Sequence, residues 1–171
     1  MANEMLEIMM RNVKGKMPRE ELEEHITEFL KSHTMCVLAT AKGNVPRATP
    51  IEYKSVGTTL YLVGDPGTKI EHMKANPQVS VCIHDPLTTG WFSVRGIVIT
   101  GKPILLTSDN PEYFEAWKIC QWEKVSKELG LTEPPRNIMM IKIEAQSIKL
   151  LENVLKFSGY DATQVWEARP K

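Results

Sequence analysis

"TMCVLATAKGNVPRATPIEY", Thr34 to Tyr53, is the stretch on which the fold turns. Its first limb, Thr34 to Ala41, is apolar and partly β-branched, the composition of a strand. Lys42-Gly43-Asn44 then makes a hairpin turn. The returning limb carries Arg47, Thr49 and Pro50 close together. Arginine is costly to bury, and Pro50 removes a ladder donor, so this limb belongs on an edge or at a bulge. Either it is a frayed edge, or its backbone is left open for something else to approach.

Working outward, "MPREELEEHITEFLKSH" before the hairpin predicts a helix. Pro18 suits its first position, Glu20 and Glu21 face the positive end of the dipole, and Leu22, Ile26, Phe29 and Leu30 form one stripe. Residues 1–16 show no clear period and read as an N-terminal extension. After the hairpin, "GTTLYLVG" predicts a third strand, and "GTKIEHMKANP" a short helix stopped by Asn76 and Pro77. "QVSVCIHD" predicts a fourth strand. "WFSVRGIVITGKPILL" is the longest strand signal, with Gly96 and Gly101 as expected bulges. "SDNPEYFEAWKICQWEKVSKELG" reads as one helix, capped at Asp109 or Asn110, started by Pro111 and ended at Gly130. "PPRNIMMIKIEAQSIKLLE" returns to a strand, and residues 151–171 form a weakly patterned tail. No strand–helix–strand alternation occurs. The expectation is a single mainly β (α+β) domain: an antiparallel barrel of about six strands with helices at its ends.

Bulk properties narrow the function. Twenty-one basic residues balance 21 acidic ones, which leaves no electrostatic footprint for a nucleic acid. No apolar run is long enough for a membrane helix, and the N-terminal patch is too short and too acidic for a signal peptide. Cys36, Cys82 and Cys120 are odd in number and lack a CxxC spacing, which suits a reducing cytoplasm. Cys82 and His84 alternate on one strand face, but further ligands are missing, so no metal site is expected. His33 and His72 are the candidates for axial haem ligation. Trp117 and Trp122 read as helix packing, and Met9, Met10, Met139 and Met140 as core or interface filler. Ser80 and Ser93 have no neighbouring base pattern, so hydrolysis is not indicated.

One local feature points to a ligand. Thr68 and Lys69 open the short helix, where free amides, a hydroxyl and an ammonium make a seat for phosphate. A capped helix with a solvated lysine would look the same. The wider order "VLAT", "YLVGDPGTK", "MKANPQVSV" and "VRGIVI" resembles the FMN-binding split-barrel family related to pyridoxamine 5′-phosphate oxidase. The likeness runs from about Thr34 to Leu106, with a return strand at 138–150, and "NPQVSV" after the lysine is its most specific element.

That resemblance implies a six-stranded antiparallel split β-barrel with flanking helices, a homodimer, and FMN at the subunit interface. By position, Arg47, Ala48, Thr49 and Pro50 would line the isoalloxazine and ribityl chain. Val63 would continue that wall, Thr68 and Lys69 would hold the phosphate, and Trp91 would contact cofactor from across the site. The chain departs from the oxidase members in two places. Gly67-Thr68-Lys69 replaces a Ser-Arg-Lys cluster, and Arg169 stands alone where paired arginines mark the substrate signature. Pyridoxamine phosphate is therefore not the expected substrate, and deazaflavin or haem are alternatives to FMN. The expected activity is a flavin-dependent oxidoreduction, with a non-catalytic flavin or electron carrier as the other reading.

Overall fold

The computed structural model describes residues 2–11, 13–88, 90–131 and 137–170. Its helices are α1 (Ala2–Met10), α2 (Arg19–Ser32), α3 (Thr68–Ala75), α4 (Tyr113–Ile119) and α5 (Trp122–Glu128). Its strands are β1 (Met35–Lys42), β2 (Val45–Val56), β3 (Thr59–Gly64), β4 (Val79–His84), β5 (Arg95–Leu106), β6 (Met139–Glu152) and β7 (Thr163–Glu167). The hydrogen-bonded order is β3-β2-β1-β4-β5-β6-β7, and β3 pairs again with β6. Strands β1 to β6 thus close into an antiparallel barrel, and β7 lies outside it.

Period-two burial drives the closure. Cys36 and Leu38 in β1, Leu60 and Leu62 in β3, Val79, Val81 and Ile83 in β4, and Ile141 and Ile143 in β6 all point into one core. The long β5–β6 pair shifts register between Thr100 and Gly101, the expected bulge. A Cβ on Gly101 would lie 2.7 Å from Ile143 Cγ2 and 2.9 Å from Glu144 O, so the strands approach too closely for any side chain. Gly96, expected as a second bulge, keeps regular register opposite His84 and Leu151. It is needed for close approach instead, since its Cβ would stand 3.0 Å from Ile83 O.

Pro50 sits where an absent donor costs little. Over Val45–Glu52, β2 pairs only with β1, and its pairing with β3 begins at Tyr53. The first two-thirds of β2 is therefore an edge, although the strand as a whole is internal to the sheet order. Helix α2 closes one barrel end with the predicted stripe of Leu22, Ile26, Phe29 and Leu30, all buried. Tyr53 Oη donates to Leu30 O at 2.8 Å and ties α2 to β2. Pro18 occupies the N-cap position, with ψ at 144°, one residue before the first turn.

Several elements differ from the sequence expectations. Residues 2–10, which showed no period, are helical, and Met10 is 79% exposed, so it fills no core of this chain. Met140 is buried, as expected of a filler, while the Met9 side chain and residues 134–136 lie outside the described set. The tail is not unpatterned: it supplies β7, paired to β6 from Ser147 to Leu151. Trp91 does not begin the long strand. It belongs to a 3₁₀ turn, Gly90–Ser93, held by a 2.9 Å bond from Ser93 Oγ to Gly90 O.

The helix expected over 108–130 is two helices broken at Gln121, which has a left-handed φ of 57°. Side chains other than glycine are disfavoured there by contact between Cβ and carbonyl. Gln121→Gly is expected to raise stability by about 0.5–1 kcal/mol, read as a higher urea midpoint at unchanged slope. Among the described residues, no helix is long and apolar enough to cross a membrane.

Candidate functional site

The hairpin pairing sorts the Arg47–Pro50 run onto two faces. Residues directly opposite each other share a face, and Thr40 stands opposite Arg47, Leu38 opposite Thr49. Thr40 is buried and its Oγ1 lies 3.3 Å from His72 Nδ1 on α3. Arg47 and Thr49 are therefore on the side where α3 packs. The Thr49 hydroxyl is buried there without a hydrogen-bond partner. Ala48 and Pro50 face the other way, beside Ala39 and Val37.

Strand β3 leads directly into α3. Val63 is half-buried on the outer barrel face, next to Tyr61 and opposite Met140 of β6. Gly67, at a φ of 149°, turns the chain into α3, and no side chain caps that helix. The Ile70 and Glu71 amides both reach Gly67 O, at 3.0 and 3.2 Å. Thr68 and Lys69 occupy the first turn, Thr68 exposed and Lys69 half-buried. An uncapped helix start leaves backbone donors for an incoming acceptor.

The outer face of β2 and β3 carries a cleft of about 160 Å³. Ile51, Tyr61, Val63, Cys120 and Trp122 form its walls, with Glu52, Lys54 and Asp65 among its polar lining. Lys54 Nζ is 3.1 Å from Glu52 Oε1. Helices α4 and α5 roof this side of the barrel through a second apolar cluster of Tyr113, Trp117 and Met140, against which Tyr61, Val63 and Trp122 pack. Burial, reinforced by the Glu52 carboxylate, pushes the Cys120 thiol up to about 12. Burial does the same to Cys36, also to about 12. Native protein at pH 8 is therefore expected to show no fast reaction of either thiol with an aromatic disulfide reagent, whereas denaturant should release both.

The sequence-predicted residues meet only in part. Val63 lines the cleft, Lys69 and Thr68 follow it on the same chain segment, and Arg47 and Thr49 face the α3 side. Trp91 makes none of its ring contacts with them. It packs edge-on against Phe92 and lies under Lys156 Nζ at 5.6 Å. Tyr61, Asp65, Cys120 and Trp122 were not anticipated. Trp122, read as plain packing, was findable only through its place just after the helix break. His33 offers no open ring nitrogen for haem: Nδ1 is 2.9 Å from Phe29 O and Nε2 is 2.8 Å from Asp85 Oδ1. His72 is buried against Thr40. A larger cleft of about 640 Å³ runs along α2, lined by Arg19, Glu23, Lys31, Trp166 and Arg169, on charged surface remote in sequence from these elements.

Residues 22–149 match the family described as pyridoxamine 5′-phosphate oxidase, three-quarters of the chain. The chain belongs to that family. A protein assigned provisionally as a pyridoxamine 5′-phosphate oxidase from Listeria innocua shares 27% identity at a TM-score of 0.62, over 76% of this chain and 98% of that one. An FAD-binding protein from Mesorhizobium loti shares 26% at 0.59, over 73% and 90%. An uncharacterized protein of Rhizobium meliloti (strain 1021) is 30% identical over 97 residues, 57% of this chain, and the chain spans 62% of that relative. A haem storage protein from Vibrio cholerae shares the fold at 16% identity and a TM-score of 0.59, over 72% of this chain and 89% of that one. For this member of the pyridoxamine 5′-phosphate oxidase family, both the six-stranded barrel and the β3–α3 passage follow the expected pattern.

Proposed function

We propose that this chain is an FMN-dependent oxidoreductase that works as a homodimer. The observation that carries this reading is the passage from Val63, which lines the cleft, to Lys69 in the first turn of the uncapped α3. The residues fit the cofactor: Thr68 and Lys69 would hold the phosphate, with Arg47 adding positive charge from the same side of the sheet. The partnerless Thr49 hydroxyl is an acceptor and donor that a polar group of the cofactor would satisfy. Ala48 and Pro50, both small, would let a flat ring lie close to the open edge of the strand, where unpaired backbone groups would hydrogen-bond it, and Val63 would continue that wall. When bound, FMN supplies hydride transfer at its N5 position. The chain orients it, neutralises its phosphate and shields it from water.

The outer sheet surface supports the homodimer. Register places Pro50, Val37, Cys82 and Val98 in one row across β2, β1, β4 and β5. Val37 is 37% and Val98 44% exposed. Such a row on an open face is the kind of surface a second copy covers, and Trp91 would then reach the cofactor of the partner. The test is reconstitution followed by sedimentation and an absorbance spectrum, then reduction by NADH or NADPH. FMN bound more tightly than riboflavin, in a dimer, supports the reading. A flavin-loaded monomer refutes the homodimer, and bound FMN that no nicotinamide reduces favours a carrier.

A further inference from the structure

We infer that the cleft under Trp122 is a subsite for a single-ring aromatic molecule that is neutral or positively charged, and that it rejects anions. Its role as the substrate position beside a flavin rests on the function proposed above; the binding itself does not. Size sets the first limit. At about 160 Å³ the cleft matches the roughly 150 Å³ that admits benzene, so it takes one ring and not a fused tricycle. Shape sets the second. Tyr61 and Trp122 offer aromatic surfaces and Val63 an aliphatic one, the lining that stacks a planar ring.

Charge sets the third limit. The cleft is lined by two carboxylates, Glu52 and Asp65, and one ammonium, Lys54, which is already engaged by Glu52. Around Tyr61 stand Glu112, Glu115 and Glu144, against Lys142 and the cross-strand neighbour Lys54. Lys142 is held by Glu112 at 2.6 Å. The Tyr61 phenol is raised mainly by burial; Lys142 opposes the rise, and the three glutamates add to it. Burial is the main cause of the raised Cys120 thiol, with Glu52 adding to the rise and Lys54 opposing it. A cation over an aromatic face gains further from the ring quadrupole. Phosphorylated pyridines, the substrates that give the family its name, are anions and would be excluded.

The experiment uses the full chain with ¹⁵N-labelled indoles, the Trp122 resonance being assigned by its loss in Trp122→Phe. Benzylamine, benzyl alcohol and benzoate are titrated first without FMN. Benzylamine and benzyl alcohol are expected to shift the Trp122 signal saturably, with benzoate at least tenfold weaker. Glu52→Gln, at an exposed position that leaves the fold intact, is expected to narrow the gap between benzylamine and benzoate. Equal binding of benzoate, an unchanged gap in Glu52→Gln, or shifts confined to other indoles would each overturn the subsite. The same samples are then titrated with FMN. FMN binding without ring-ligand binding rejects the subsite and keeps the flavin. Ring-ligand binding without FMN binding supports the subsite and rejects the flavin.

Discussion

Replacing Arg95 with methionine is expected to destabilise the fold by on the order of 3 kcal/mol, from the cost of breaking a buried ion pair. Glu152, the last residue of β6, has a side chain only 10% exposed. Its Oε2 receives His25 Nε2 from α2 at 2.6 Å and Arg95 Nε from β5 at 3.1 Å. Arg95 and Glu152 are also cross-strand partners, so backbone register holds their side chains together. The guanidinium lies 4.7 Å from the centroid of Phe29, which is 1% exposed. Methionine keeps some apolar contact with that ring but removes the charge, and the carboxylate is stranded. His25 remains as one partner, and Arg95 is 30% exposed, so the lower end of the usual 3–5 kcal/mol applies.

A double-mutant cycle separates this mechanism from simple loss of packing. Arg95→Met with Glu152→Met removes the stranded charge, so the pair should recover well over 1 kcal/mol relative to the sum of the singles. Urea unfolding of the four proteins supplies the numbers. If the two changes add, the ion pair contributes nothing of its own, and the cost belongs to Phe29 and its neighbours. The site matters for the fold because it joins α2, β5 and β6 at one barrel end. His33, the C-cap of α2, with its ring tilted at 4.2 Å from that of Phe29, extends it to Asp85 after β4.

That network shows where sequence reading ran out. The apolar stripe of α2 was legible because burial at helical spacing leaves a repeating trace. Nothing in the order of residues says that His25, Arg95 and Glu152 meet, since they lie 70 and 57 positions apart. Strand β7 was missed for a related reason. Its inward residues are Trp166 and Gln164, and the buried glutamine breaks the apolar alternation. Gln164 is satisfied instead by Met17 N at 3.0 Å and Gly15 O at 3.1 Å, contacts 147 and 149 residues distant. Trp91 was misplaced because a Trp-Phe pair carries strong strand propensity, whereas the glycine before it, at a φ of 72°, permits a tight turn. The site divides along the same line. Tyr61, Val63 and Lys69 sit in one contiguous segment, whereas Cys120 and Trp122 reach the cleft only through the packing of α4 and α5 on the barrel.

Lys69→Ala is expected to weaken FMN binding by roughly 10- to 150-fold while leaving riboflavin affinity nearly unchanged. A hydrogen bond to a charged group contributes on the order of 1.5–3 kcal/mol, and each 1.4 kcal/mol is a factor of ten. Lys69 is half-buried in the first turn of α3, where its ammonium and the helix amides would act together on a bound phosphate. The amides survive the mutation, as does Thr68, so the loss is partial. Riboflavin has no phosphate and should not register the change. Arg47 gives the contrasting case, because as a strand residue on the α3 side of β2 it would lie beside the ring as well as the phosphate end of a bound flavin. Arg47→Ala should weaken both ligands together and shift the reduction potential of the bound flavin. Raising the ionic strength should shrink the FMN-to-riboflavin gap of the native chain, since exposed charges are screened. Dissociation constants for both ligands, with three proteins at two salt concentrations, decide the matter. An alanine variant that loses FMN and riboflavin equally, or that keeps the native preference for FMN, would mean that α3 begins in an ordinary turn and that the phosphate is held elsewhere.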